Sequence, residues 1–123
     1  MIYKEYINND IINYESGLNH FSKKEALYEK YLFKFLDDNH FNEAETALEK
    51  NDIEEFFKII HAFKGICGTL SLTKLFHSSS MITLSIKSNK LDTIPYLFNS
   101  LKNDYSETYS HIEFLKNLNA QHK

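Results

Sequence analysis

A histidine, a lysine and two glycines lie close together near the middle of the 123-residue chain: His61, Lys64, Gly65 and Gly68. A neutral imidazole nitrogen is a good nucleophile toward phosphorus when the ring is accessible. On a helix, a lysine three positions after the histidine can reach the same point and offset the charge of a phosphoryl group. The spacing therefore indicates a site at which His61 could accept a phosphoryl group.

The surrounding pattern predicts that these residues share the exposed face of one helix. Asp52 and Glu55 form a capping signature, so a helix should begin near Ile53 and continue to about Leu70. The apolar residues of this helix form one continuous stripe: Phe56, Ile59, Ile60, Phe63, Ile66, Cys67 and Leu70. At about 100° per residue, the stripe lies opposite His61, which should therefore point to solvent.

Two glycines on an exposed helix face need a reason, because glycine costs about 1 kcal/mol relative to alanine in a helix interior. Exposed backbone at Gly65 and Gly68 would let another protein approach closely and leave room for a group on the imidazole. Phe57, one turn before His61, adds an aromatic ring to a face that should be polar. We therefore predict a docking surface around His61 that includes Phe57.

The rest of the pattern predicts an all-α fold, an antiparallel four-helix bundle with a short additional N-terminal helix. One proline and three glycines are few interruptions, and short connections between long amphipathic helices are typical of bundles. The other helices should span about 9–20, 23–48, 72–86 and 93–118.

Three details of these helices can be tested. A capping box of Ser22 and Glu25 should begin the second helix. The apolar pattern slips at 37–40, which could reflect a kink, a local loosening or one helix that changes neighbours. Asp92 or Thr93 should cap the last helix, with Pro95 in its first turn.

The segment His61-Ala62-Phe63-Lys64-Gly65, continuing to Gly68, resembles the H-x-x-K-G signature of histidine-phosphotransfer (HPt) domains, with a small residue three positions later. The resemblance covers about residues 13–90 and is also carried by the segments 14–18, 28–36, 48–52 and 72–75. It implies that His61 accepts the phosphoryl group on its outer ring nitrogen and that Lys64 stabilises it. It also implies that Gly65 and Gly68 leave clearance for a receiver domain.

The same resemblance implies a phosphocarrier rather than an enzyme, without a nucleotide site or a cofactor of its own. The partner would be the receiver domain of a response regulator or hybrid histidine kinase, which would supply the Mg²⁺ and the acidic cluster. Matching the family's fourth helix places Thr83 and Lys87 near the active face. Many members carry a glycine where this chain has Ser71, which should affect the turn after the helix rather than the chemistry.

Length and composition predict a single cytoplasmic domain, residues 1–123. A bundle of this kind should be a monomer, with self-association through the Phe57 face as the alternative. A net charge of −3 gives no reason to expect a nucleic-acid partner. Cys67 is the single cysteine, so an intramolecular disulfide is excluded, and the N-terminus does not resemble a signal peptide. No apolar stretch has the length needed to cross a membrane. The initial methionine and short tail favour a free-standing protein over a domain of a larger kinase.

Alternative functions account for fewer of these residues. His61, Cys67 and His77 could be metal ligands, but Cys67 should point inward and no two histidines are four positions apart, so we predict no metal site. A metal-dependent enzyme in a helical bundle would need paired glutamates and an E-x-x-H pattern. A histidine bundle of the kinase-dimerisation type would need an acidic residue in place of Ala62. The serine run 78–80 is predicted to be a solvated face.

The strongest alternative is a degenerate HPt-like module that binds a receiver or kinase without phosphotransfer. A module that only binds has no need of a nucleophile. The intact pair of His61 and Lys64 therefore favours transfer.

Overall fold

The computed structural model describes residues 4–121, and this part of the chain is all-α, as predicted. Its α-helices are α1 Tyr14–His20, α2 Glu25–Lys34, α3 His40–Glu49, α4 Ile53–Thr69, α5 Thr73–Lys87 and α6 Ile94–Gln121. Short 3₁₀ helices occur at Lys4–Tyr6, Phe35–Asp37 and Leu91–Thr93. The described residues contain no β-strand and no helix that is long and apolar enough to cross a membrane.

One hydrophobic core joins the helices, and aromatic rings fill much of it. Consecutive helices pack against each other from α3 to α6, and α2 packs against α6. The Phe41 ring stacks on Tyr105 with centroids 4.2 Å apart and on Phe98 with centroids 5.4 Å apart. Tyr28, Phe56 and Phe63 are fully buried. Large rings therefore supply the buried apolar surface that a chain without tryptophan needs.

The start of α4 agrees with the sequence prediction. The Asp52 side chain accepts a hydrogen bond from the Glu55 backbone N–H at 3.1 Å, which satisfies one of the free donors of the first turn. The helix begins at Ile53, as the capping signature predicts.

Four of the helices, α1, α3, α4 and α5, are followed by a residue in the left-handed conformation that is not glycine. These residues are Ser22, Asn51, Ser71 and Asn89. After α4, the backbone N–H of Ser71 donates to Gly68 O at 3.2 Å and that of Leu72 to Cys67 O at 2.9 Å. Paired bonds of this kind satisfy the last carbonyls of a helix, usually with glycine at the left-handed position. Ser71, with φ 55°, therefore belongs to the turn, as expected from its place after α4.

The N-terminal part of the chain differs from the prediction. The first helix begins at Tyr14 rather than near Asn9, because the preceding residues pair with the start of α5 instead. Ile12 forms an isolated antiparallel bridge with Leu72, and the Asn13 N–H donates to Ser71 O at 2.9 Å. A segment that bonds to another helix in this way cannot also form the first turns of its own.

The predicted capping box of the second helix is also wrong. Ser22 and Lys23 both have left-handed φ angles, of 54° and 61°, so Ser22 ends α1 instead of capping α2. Helix α2 begins at Glu25, and its N-cap residue, Lys24, makes no side-chain hydrogen bond to it. The spacing of Ser22 and Glu25 was right for a capping box, but a turn between two helices uses the same residue types.

The slip in the apolar pattern marks a break between two helices. Helix α2 ends at Lys34, a 3₁₀ turn follows, and α3 begins at His40. Asp38 accepts a hydrogen bond from the His40 backbone N–H at 3.0 Å and thereby helps to begin α3.

The last helix has the predicted proline in its first turn, but neither predicted cap is seen. Helix α6 begins at Ile94 and includes Pro95. The Thr93 hydroxyl donates to Lys90 O at 2.7 Å and so belongs to the preceding turn. The helix continues to Gln121, beyond its predicted end near Leu118.

The serine run on α5 is not a solvated face. Ser78 and Ser79 are buried, and Ser80 is half-buried. The Ser79 hydroxyl donates to Leu75 O at 2.6 Å, and the Ser78 hydroxyl donates to Lys74 O at 3.0 Å and to the Asp104 carboxylate of α6. Hydroxyls that bond to the helix backbone can be buried without loss, and their small size lets α5 and α6 approach closely.

Candidate functional site

Helix α4 has one buried face and one exposed face. Phe56, Ile60, Phe63 and Cys67 are completely buried, and burial raises the pKa of the Cys67 thiol well above its usual value. The other face carries the predicted site residues: His61 and Gly65 are exposed, while Phe57, Lys64 and Gly68 are half-buried. The predicted division of the helix is therefore observed.

The His61 imidazole is exposed and free of polar contacts within the described part of the chain. Its ring stacks on Phe57, with centroids 5.9 Å apart and planes 18° apart. Within residues 4–121, three other histidines, unlike His61 and the exposed His77, form hydrogen bonds. His20 Nδ1 lies 3.0 Å from Thr69 O, His40 Nδ1 lies 2.9 Å from the Asp38 carboxylate, and His111 Nε2 accepts from the Asn8 N–H at 3.0 Å. The nitrogens of His61 are thus available to an external group.

The Lys64 ammonium lies near the same face without a carboxylate partner among residues 4–121. Its Nζ is 5.8 Å from the centroid of the Phe76 ring of α5, a cation–π contact. This contact is weak enough at a half-exposed site for the flexible lysine to turn toward an anion. Phe76, which is 42% exposed, is a member of this face that the sequence analysis missed. The sequence pattern places Phe76 on a helix but does not show which residues of α4 it contacts.

The two glycines of the face differ in what surrounds them. A Cβ added to Gly65 would meet no atom within 4 Å. A Cβ added to Gly68 would lie 3.2 Å from two ring carbons of Phe76, so the ring would have to shift slightly. The fold therefore accounts in part for Gly68 and does not account for Gly65.

Two mainly apolar grooves flank the segment from Gly65 to Thr69. The first, of about 890 Å³, lies toward α2 and is lined in part by Phe21, Tyr31 and Ile66. The second, of about 730 Å³, lies toward α1 and α5 and is lined in part by His20, Ser71 and Phe76. Both include Gly65 and Thr69 in their walls. This part of α4 is therefore a ridge that a partner could contact from either side.

The two residues of α5 that were predicted to lie near the active face have different surroundings. Lys87 is exposed in the last turn of the helix. Thr83 is only 2% exposed, and its hydroxyl donates to Ser80 O at 3.0 Å. Because its side chain is covered by the fold, Thr83 cannot contact a partner directly, and we remove it from the predicted docking surface.

Polar contacts from α1 extend the site, and the sequence analysis missed them. The Ser71 hydroxyl donates to the Ser16 hydroxyl at 3.0 Å, and the His20 ring bonds to the carbonyl of Thr69 at the end of α4. These bonds hold α1 beside Gly68. No sequence signal identifies them, because the residues are separated by about 50 positions.

The residues considered for a metal site do not come together. Within residues 4–121, no group of three or more histidine, cysteine, aspartate or glutamate side chains is arranged to hold a metal ion. Cys67 is buried on the face of α4 opposite the exposed His61, and His77 is exposed on α5.

Comparison of the chain with protein-family models, with curated proteins and with solved structures found no match.

Proposed function

We propose that this chain is a histidine-phosphotransfer protein of a phosphorelay, with His61 as the phosphoryl acceptor. One observation carries the proposal: an exposed imidazole without a polar partner in the described chain lies one turn from a glycine that the fold does not require. A reactive nitrogen must be accessible, and a partner's active site must approach it closely. His61 and Gly65 together meet both needs.

In the proposed reaction, the donor is an aspartyl phosphate of a receiver domain. The lone pair of the outer His61 nitrogen attacks phosphorus, the phosphorus–oxygen bond to the aspartate breaks, and the carboxylate leaves with the bonding electrons. The other ring nitrogen keeps its proton. The reverse reaction delivers the group to a second receiver.

Lys64 would stabilise the phosphoryl group on the imidazole. It is on the correct face, and its ammonium is held by an aromatic ring instead of a carboxylate. Moving it to the phosphoryl group therefore breaks no ion pair within the described residues, and the new charge-assisted bond should be stronger than the contact it replaces. The chain would need no cofactor, since the Mg²⁺ and acidic residues would belong to the receiver.

The docking surface would consist of the ridge at Gly65 and Gly68 with exposed residues of α4 and α5. The half-buried Phe57 stacks on His61, Phe76 contacts Lys64, and Lys87 is exposed on α5. Apolar rings surrounded by lysines suit a partner whose active site is acidic and whose adjoining surface is apolar.

We also propose that the helices form an antiparallel four-helix bundle in which α2 and α3 together make one interrupted arm. The contacts of α3 with α4, α4 with α5, α5 with α6 and α2 with α6 support this closed arrangement. Short connections between consecutive helices favour antiparallel neighbours. The exposed face of α4 would then lie at the middle of one side of the bundle.

The test is phosphate transfer from a receiver domain charged by a small-molecule phosphodonor in Mg²⁺. We expect an acid-labile, base-stable phosphoryl group on the wild type and none on His61→Gln. His77→Gln is the matched control, because His77 is also an exposed helical histidine. Lys64→Ala should slow transfer. Labelling that persists in His61→Gln would overturn the assignment of the acceptor.

The second candidate is a binding module without phosphate chemistry. The apolar groove toward α2 favours it, because such a groove can bind a partner without a reactive group. The same experiment separates the two functions. Receivers that bind the wild type but never transfer phosphate to it would make His61 an interface residue.

A further inference from the structure

The His61 imidazole has an aromatic ring on one side and open space on the other. Side chains of a helix lean toward its N-terminus, so the His61 ring lies over the turn that carries Phe57. There the two rings stack, with centroids 5.9 Å apart and planes 18° apart. Toward the C-terminus, the position of a Cβ on Gly65 is open to 4 Å.

We propose that Phe57 is a positioning residue for His61. Its ring supports the imidazole from the N-terminal side, so that the reactive nitrogen faces a phosphoryl group arriving across Gly65. The inference rests on the proposed function, because it takes His61 as the acceptor. It goes beyond the docking role that the sequence suggests for Phe57, since a positioning residue acts on the imidazole even when no partner is bound.

The physical basis is the freedom of an exposed side chain. A histidine on a helix surface can occupy more than one rotamer, and only some of them direct the nitrogen outward. A stacked aromatic pair favours one arrangement by a factor of about two to ten. Within residues 4–121 the His61 ring has no polar contact that could replace this effect. Stacking on Phe57 is therefore the interaction that orients it.

A second stacked pair, on α6, provides a control, because its histidine is also held by a hydrogen bond. The rings of His111 and Phe114 stack with centroids 6.3 Å apart and planes 20° apart. His111 also accepts a hydrogen bond from the Asn8 N–H at 3.0 Å, so its orientation does not depend on the ring contact. Phe114 is exposed, as a control position should be.

Two phosphodonors separate positioning from docking. Phosphoramidate is a small donor that needs no protein surface: the imidazole lone pair forms the new phosphorus–nitrogen bond while the donor's bond breaks and its nitrogen leaves as ammonia. A phosphorylated receiver needs both the imidazole and the docking surface. A residue that only docks affects the second reaction, whereas a residue that positions the imidazole affects both.

The experiment compares Phe57→Leu, Phe57→Tyr and Phe114→Leu with the wild type. We expect Phe57→Leu to slow phosphorylation by both donors two- to tenfold, Phe57→Tyr to restore the rates, and Phe114→Leu to leave them unchanged. An unchanged rate with phosphoramidate and a lower rate with the receiver would overturn positioning in favour of docking alone. If Phe57→Leu fails to fold, Phe57→Met is used in its place, because it also exchanges the ring for an apolar side chain.

A spectroscopic measurement separates failure of this inference from failure of the proposed function. In the unphosphorylated chain, the ring-proton resonances of His61 should lose the ring-current shift of Phe57 in Phe57→Leu and keep it in Phe57→Tyr. Resonances that do not change in Phe57→Leu overturn the positioning role, whatever the transfer assays show. If the wild type reacts with neither donor, the proposed function is overturned. The spectroscopic result still shows whether Phe57 orients the His61 ring.

Discussion

Gly17 on α1 and Gly65 on α4 show opposite reasons for a helical glycine. Neither has a positive φ, so neither is needed for an unusual backbone conformation. A Cβ on Gly17 would overlap the ring and hydroxyl of Tyr28. A Cβ on Gly65 would meet nothing within 4 Å. The first glycine is explained by contacts inside the chain, and the second is not.

The region around Gly17 is held together by buried polar and aromatic contacts. The Tyr28 hydroxyl donates to Leu70 O at 2.7 Å, and burial raises the pKa of the Tyr28 phenol. The Tyr14 hydroxyl donates to the Glu25 carboxylate at 2.9 Å, and burial together with this bond raises the pKa of Tyr14 to about 12. Within residues 4–121, the exposed face around Gly65 has no buried network of this kind. Contacts within the fold therefore account for Gly17, whereas Gly65 is accounted for only by the proposed docking surface.

The largest expected effect is on stability at the first glycine. Gly17→Ala should lower the free energy of unfolding by about 3 kcal/mol, because the new methyl group forces the buried Tyr28 ring out of place. Urea unfolding followed by circular dichroism measures the change. A loss below about 1 kcal/mol would mean that α1 shifts to accommodate the methyl group, so that packing against Tyr28 would not explain Gly17.

The second glycine should behave in the opposite way. Gly65→Ala should raise the free energy of unfolding by up to about 1 kcal/mol, since alanine is the better helix former and has room. If the proposed function is right, the same variant should accept phosphate from a receiver at least about tenfold more slowly, because the methyl group enters the open space through which the receiver would approach. Unfolding and transfer are measured on the same preparation.

Gly68→Ala is the matched control for the stability part of this prediction. Its Cβ would lie 3.2 Å from the Phe76 ring, so the gain in helix propensity is offset by a small shift of that ring. Stability should therefore change by less than about 0.5 kcal/mol. If Gly65→Ala were stabilised and transferred phosphate at the wild-type rate, the external reason for Gly65 would be refuted.

The exposed face of α4 could be predicted from the sequence because all of its signals are local. The Asp52 cap, the apolar stripe from Phe56 to Leu70 and the position of His61 depend only on the spacing along one helix. Helical periodicity and capping are properties of a short segment, and a short segment can be read without its neighbours.

The region around Gly17 could not be predicted, because its causes are distant in sequence. The overlap of Gly17 with Tyr28, the bond from Tyr28 to Leu70 and the pairing of Ile12 with Leu72 all depend on tertiary packing. The burial of Ser79 was missed for the same reason, because it depends on which helices cover α5, although the hydroxyl itself bonds locally to Leu75 O.

The smallest expected effect concerns the segment that precedes α1. A hydrogen bond that is lost when His111 is protonated joins this segment to α6. The Asn8 N–H donates to His111 Nε2 at 3.0 Å, so that nitrogen must be unprotonated. Burial lowers the pKa of His111, although the charge of Glu107 opposes the shift. Because the folded state binds this proton less readily than the unfolded state, the bond stabilises the fold above the usual histidine pKa of about 6.5. That contribution should be lost as the pH falls below this value.

The measurement is the free energy of unfolding at a series of pH values from about 7.5 to 5. The wild type should lose more stability over this range than His111→Gln, whose amide oxygen can accept the same hydrogen bond without titrating. The control substitution is His61→Gln, which removes an exposed histidine that makes no polar contact within the described residues. Equal slopes for wild type and His111→Gln would show that the His111 bond adds little, and that the N-terminal segment is held by its buried isoleucines and its pairing with the start of α5. The contrast between the two histidines then extends the contrast between the two glycines, since one member of each pair acts within the fold and the other faces outward.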